Sequence, residues 1–149
     1  MDIQKILVPF DFSEYSEKAC HWAVGMAEKW RARILVLHIV PRPSYPPVLM
    51  GSHFNAVDFE EGLRAEAEDR LKTFVAQTPH GRVLIDVKVM VGEPSWDICK
   101  IAEDEQCDLV IMGSHGRTGL GHVLLGSVAE RVVRLSPSPV LVVGKKAPA

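Results

Sequence analysis

The chain has 149 residues, 47% of them hydrophobic and 24% charged, which is the size and composition of one globular domain. Lys and Arg total 17 against 19 Asp and Glu, a formal net charge of -2. That balance removes the basic signature of a nucleic-acid or anionic-membrane binder, and at first reading it also counts against a polyanionic ligand. The N-terminus lacks a basic n-region and a long apolar core, so it does not read as a signal peptide, and no stretch reads as a membrane span. It leads directly into Ile3 to Pro9, an apolar run expected to be a buried strand that ends at the proline. Glu14 to about Arg31 follows with Ala19, Trp22, Ala23, Met26, Ala27 and Trp30 at helical spacing. This predicts a helix capped by Asp11 or Ser13, with both tryptophans in the core.

Ile34 to Val40 reads as the second strand. Pro41 to Val57 carries four prolines and is too long for a plain connector, so a surface excursion near a site is expected. Asp58 to Gln77 reads as the second helix. In Val83 to Val91 the valines and Ile85 share one face and Asp86 and Lys88 the other, as on an edge strand. Pro94 suits the first turn of a third helix. Asp108 to Met112 is the fourth strand, Ser127 to Leu135 the fourth helix and Pro139 to Val143 the fifth strand. This alternation predicts an α/β fold with a parallel five-stranded sheet and right-handed crossovers, in one domain spanning residues 1–149. The last strand is wholly apolar at Val140, Leu141, Val142 and Val143. Either it lies inside the sheet or another chain covers it, and a homodimer built on it is the expectation. Cys20, Cys99 and Cys107 form no CxxC pair and are odd in number, as buried reduced thiols of a cytoplasmic protein would be.

The segment opening at Met112 is the most informative. It leaves a strand, passes Gly113, Ser114, His115, Gly116, Arg117, Gly119 and Gly121, and enters a helix near Gly126. Ligands in open parallel sheets sit beyond the carboxyl ends of strands, and a helix N-terminus offers unpaired N–H groups to an anion. The bland alternative is an ordinary cap, since Ser127 followed by Glu130 fits a capping box. No GxxxxGK[ST] and no complete GxGxxG is present, so neither a P-loop nor a dinucleotide fingerprint explains the loop.

Gly113, Gly116, Gly126 and Ser127 do fit G-x2-G-x9-G-(S/T) without gaps. This spacing resembles the nucleotide-binding motif of the universal stress protein family, in its ATP-binding branch. Ile6 to Ser13, Leu37 to Val40, Val91 to Pro94, Asp108 to Gly113 and Pro137 to Val143 resemble other blocks of that family, so the likeness covers essentially the whole chain. The resemblance implies a Rossmann-like sheet of order 3-2-1-4-5 with helices on both faces, and a dimer through the last strand. It further implies a nucleotide site built from Pro9, Phe10, Asp11, Ile39, Met112, Gly113, His115, Gly116, Arg117, Gly126, Ser127 and Val128. There the Ile39 backbone would read the adenine edge, and Asp11 would lie near the ribose or a phosphate-bound cation.

Arg117 is the best candidate for a charge contact with phosphate, with His115 and His122 as solvated loop residues by default. His38 reads as a hydrogen-bonded core histidine. Asp11 is weighed between ligand contact and helix cap, and the ligand role is put first. No His/Cys cluster has metal-ligand spacing. Two functional classes follow from the resemblance. One is a dimeric ATP-binding regulator that alters its contact with a protein partner under stress. The other is an enzyme that slowly hydrolyses ATP or transfers a phosphoryl group, with Mg²⁺ or Mn²⁺ held mostly by the phosphates. A third variant keeps the motif but prefers another adenine compound.

Overall fold

The computed structural model describes residues 2–45, 53–117 and 125–145. Five strands alternate with four helices: β1 Lys5–Pro9, α1 Glu14–Trp30, β2 Arg33–Pro41, α2 Ala56–Gln77, β3 Ile85–Gly92, α3 Pro94–Asp104, β4 Leu109–Gly113, α4 Ser127–Leu135 and β5 Val140–Val143. All pairings are parallel, in the order β3-β2-β1-β4-β5. This is the Rossmann-like topology expected from the sequence, with boundaries shifted by one or two residues. Among the described residues no helix is long and apolar enough to cross a membrane.

Strands β1, β2, β4 and β5 read as largely apolar runs because both faces of the sheet are covered, whereas β3 at the edge alternates with Asp86 and Lys88. Ile6, Val8, Ile34, Val36 and Ile111 point to one face, where they pack with Ala19, Ala23 and Ala27 of α1 and Leu71 and Val75 of α2. Leu7, Leu35, Leu37, Val110 and Met112 point to the other, against Ile98 and Ile101 of α3 and Ala129 and Val132 of α4. Period-two side-chain alternation thus feeds two separate cores from the same strands.

One sequence expectation needs correction, and one open choice is decided. Trp22 and Trp30 are not core residues, for they are 37% and 43% exposed. The centre of the buried stripe on α1 is filled by Ala19, Cys20, Ala23 and Ala27, small residues that let the helix lie close to the sheet, and the indoles are displaced to its flank. The N-cap of α1 is Ser13, whose side chain accepts from the Ser16 N–H. Asp11 does not cap the helix; its Oδ1 instead accepts from the Ser13 N–H at 3.0 Å, closing a local turn. The last strand lies at the sheet edge, paired with β4, so the interior alternative for it is set aside. The three cysteines are buried and unbridged. Burial pushes the Cys20 thiol up to about 12 and the Cys107 thiol up to about 11, so neither is a nucleophilic thiolate at neutral pH.

Candidate functional site

The chain runs from β1 outward to β3 on one side and then resumes at β4 on the other side of β1. Neighbouring loops therefore diverge at the carboxyl ends of β1 and β4, which is where a crevice must open in such a sheet. A cleft of about 340 Å³ occupies that place. It is lined by Pro9, Phe10 and Asp11 after β1, Ile39 on β2, Met112, Gly113, His115, Gly116 and Arg117 at and after β4, and Gly126, Ser127 and Val128 at the start of α4. All twelve residues singled out from the sequence thus meet at one cavity. Ser16, Leu37, His38, Pro41, Pro94, Ile98 and Ala129 line it as well and were missed. Pro94 and Ile98 had a legible signal, since a helix following an edge strand returns over the same end of the sheet. Ser16, one turn into α1, had none. His122 lies outside the described residues.

A second hollow of about 980 Å³ lies at the opposite end, between residues 2–4, the end of α1 and residues 82–84. It is larger, but the carbonyl end of α1 faces it, which disfavours an anion. The smaller cleft is the one with converging donors.

The end of α4 explains why. Its N-cap is Gly126, with no side-chain cap, and its first intrahelical bond runs from the Glu130 N–H to the Gly126 carbonyl at 2.9 Å. The N–H groups of the first turn precede that bond, and the residues that carry them, Ser127, Val128 and Ala129, line the cleft. The other three helices are capped by side chains, those of Ser13, Asn55 and Glu93. The capping-box reading of Ser127 and Glu130 is therefore overturned. Ser127 is the first helical residue, exposed, and its hydroxyl caps nothing. The helix gives up a cap where the site gains bare donors and the positive end of the dipole.

Glycines make room for that arrangement. A Cβ on Gly113 would stand 2.7 Å from Tyr15 Cβ, so only glycine lets β4 pass α1 at this point. A Cβ on Gly116 would stand 2.7 Å from Asp11 Oδ2. That distance places the Asp11 carboxylate directly against the glycine loop at Gly116. The loop is anchored by its backbone: the Ser114 N–H donates to Val143 O at 2.8 Å and the Gly126 N–H to Ser114 O at 2.7 Å.

Asp11 is the one carboxylate among the described residues lining the cleft, and His38, His115 and Arg117 are its basic groups. Arg117 is exposed at the rim. His115 is half-buried, with Nδ1 2.9 Å from Ser114 Oγ and its ring beside Tyr15. His38 is buried, as expected. Its Nδ1 lies 2.6 Å from the Phe10 carbonyl; the carbonyl accepts, so Nδ1 carries the proton. Burial holds this imidazole below its ordinary range; the bond to Phe10 opposes that shift, and Arg117 reinforces it. His38 is thus a neutral wall of the cleft at pH 7.

Comparison with known proteins identifies the family and matches the fold. The family described as the universal stress protein family matches residues 2–144. Universal stress protein MJ0577 of Methanocaldococcus jannaschii is 34% identical over 155 aligned positions, covering 96% of each chain. Its solved structure superposes with a TM-score of 0.84 over 99% of this chain and 100% of that one. Universal stress protein MJ0531 of the same organism is 32% identical over 142 positions, 95% of this chain and 82% of the relative. A universal stress protein crystallised in complex with cAMP shares the fold at 24% identity, with a TM-score of 0.65 over 98% of this chain and 100% of that one. The chain belongs to the universal stress protein family.

Proposed function

We propose that this protein binds an adenine nucleotide, ATP foremost, in the cleft between β1 and β4, and that it works as a nucleotide-dependent regulator in the stress response. The observation that supports this most directly is the uncapped first turn of α4, which opens on the same cleft as the glycine loop. Backbone donors and a helix dipole suit phosphate without requiring net positive charge. The apolar wall formed by Leu37, Ile39, Ile98 and Met112 suits a flat base, and the Ile39 backbone at the end of β2 is where its polar edge would be read. The relative crystallised with cAMP bears on the fold, and the reading for this chain rests on its own cleft.

Asp11 fits a supporting role. Oδ1 is engaged by the Ser13 N–H, and Oδ2 faces the glycine loop. A carboxylate at that position accepts from a ribose hydroxyl or joins phosphate oxygens around Mg²⁺ or Mn²⁺, hard cations that prefer oxygen donors. The working unit in this reading is a cytoplasmic homodimer. The edge strand β5 leaves Val140, Leu141 and Val142 only half-buried in one chain, and a second copy would cover them. A change in nucleotide occupancy would then alter contact with a protein partner, provided that partner prefers one occupancy state.

The test is titration calorimetry with ATP, with and without Mg²⁺, followed by product analysis of the recovered nucleotide. Saturable binding with intact ATP recovered supports the regulator. Turnover abolished by Asp11→Asn supports the hydrolytic alternative, and absence of heat with any adenine nucleotide refutes both.

A further inference from the structure

The turn that presents Asp11 is strained, and part of what holds it comes from outside the cleft. Phe12 has a φ of +64, in the left-handed region that a bulky side chain rarely adopts. Such a conformation persists only where the surroundings over-determine it. Here the surroundings are specific. The Phe12 ring meets Phe10 edge-on at 5.2 Å and His38 at 4.8 Å. The Arg70 guanidinium, from α2, stands over the same ring with Cζ 4.1 Å from its centroid. Arg70 does not line the cleft and forms no ion pair among the described residues.

We infer that Phe12 and Arg70 are positioning residues for Asp11. If Phe12 relaxed to a negative φ, the peptide between Asp11 and Ser13 would rotate. The Ser13 N–H would leave Asp11 Oδ1, and Oδ2 would no longer face Gly116. The cation over the Phe12 ring opposes that relaxation, because a guanidinium is attracted to the ring face in this one geometry. His38 is the fixed wall on the other side, itself held by the Phe10 carbonyl. A residue on α2 outside the cleft thereby sets ligand affinity through one aromatic ring. This rests on the proposed role of Asp11 toward the nucleotide or its cation.

The test uses the full chain carrying Arg70→Met, an exposed helix position where methionine is well tolerated. With ATP and Mg²⁺, the affinity should fall about two- to fivefold, the worth of an exposed cation–π contact. Arg70→Lys should restore it. In the Asp11→Asn background the same Arg70→Met change should cost nothing further, because the group it positions is gone. An equal loss in both backgrounds would overturn the inference, as would full affinity in Arg70→Met. A second measurement does not need a ligand. The Ser13 amide resonance of the nucleotide-free protein should shift and lose exchange protection in Arg70→Met. If it is unchanged, Arg70 does not hold the turn, whether or not ATP binds. If wild type fails to bind ATP while the Ser13 amide responds, the proposed function fails and the positioning of the turn stands.

Discussion

Gly126→Ser separates binding from folding more cleanly than any other single change. Gly126 has φ -67 and ψ 158, an extended conformation open to any residue, so the backbone carries no strain. A Cβ there would stand 3.3 Å from His115 Cα and 3.4 Å from Ser114 O. The loop must therefore yield by a few tenths of an ångström, at a small cost. Against this, the new hydroxyl supplies the side-chain cap that α4 lacks, worth a few tenths of a kcal/mol relative to glycine. The two effects nearly cancel, so ligand-free stability should move by less than about 1 kcal/mol. Binding should respond very differently. The hydroxyl accepts from an N–H of the first turn, a donor assigned to phosphate. Loss of one hydrogen bond to a charged group costs about 1.5–3 kcal/mol, and about 2 kcal/mol corresponds to a roughly 30-fold rise in Kd. At an ATP concentration about 100 times the wild-type Kd, ligand adds about 2.7 kcal/mol to unfolding. At the same concentration the variant should gain only about 0.9 kcal/mol. Denaturant unfolding with and without ATP reads both quantities. A variant that keeps the full ligand increment would show that the amides of α4 do not face phosphate.

The remaining predictions concern the neighbouring groups. Gly116→Val places its Cβ against Asp11 Oδ2, so the carboxylate must swing away and the Ser13 bond is lost; calorimetry should find ATP affinity reduced about tenfold or more, and unchanged affinity would remove Asp11 from the site. His38 has its pKa lowered by burial, so the folded state stays neutral while the unfolded chain takes up a proton below about pH 6.5. Its contribution is complete above that pH and is lost as pH falls toward the lowered folded value. Urea midpoints between pH 7.5 and 5 should fall less steeply in His38→Gln than in wild type, and equal slopes would contradict the assignment. Val142→Lys on the exposed edge of β5 should yield a monomer by light scattering with the fold intact, and a monomeric wild type would refute the dimer.

The fold was legible because its signals are redundant. The interior strands are largely apolar runs, β3 alternates as an edge strand does, and Pro9, Gly81, Pro94 and the glycine loop punctuate the chain where the elements change. The candidate site residues came as a set from the family resemblance, and they meet for a topological reason: segments that end strands β1, β2 and β4 come together at one end of a parallel sheet. What the sequence hid was position within a pattern. Helical spacing located the buried side of α1 but not its centre, so Trp22 and Trp30 were expected in a core that alanines and a cysteine fill. Gly126 and Ser127 are both acceptable N-caps, and only the Glu130-to-Gly126 bond decides between them. That one-residue shift converts Ser127 from a residue explained by helix capping into one that helix capping leaves unexplained. The left-handed turn at Phe12 had no signal at all, since a phenylalanine there breaks the preference that would mark it. Net charge is blind to the uncapped start of α4. The donors that favour an anion here are backbone amides, which a count of 17 basic against 19 acidic side chains does not register.

The most direct measurement is thermal unfolding of the wild-type protein with ATP, ADP, AMP and GTP, each with and without Mg²⁺. Adenine nucleotides should raise stability, by about 2.7 kcal/mol at a concentration near 100 times Kd, and GTP should lag behind them. No stabilisation by any of the four would contradict the assignment of the cleft as a nucleotide site.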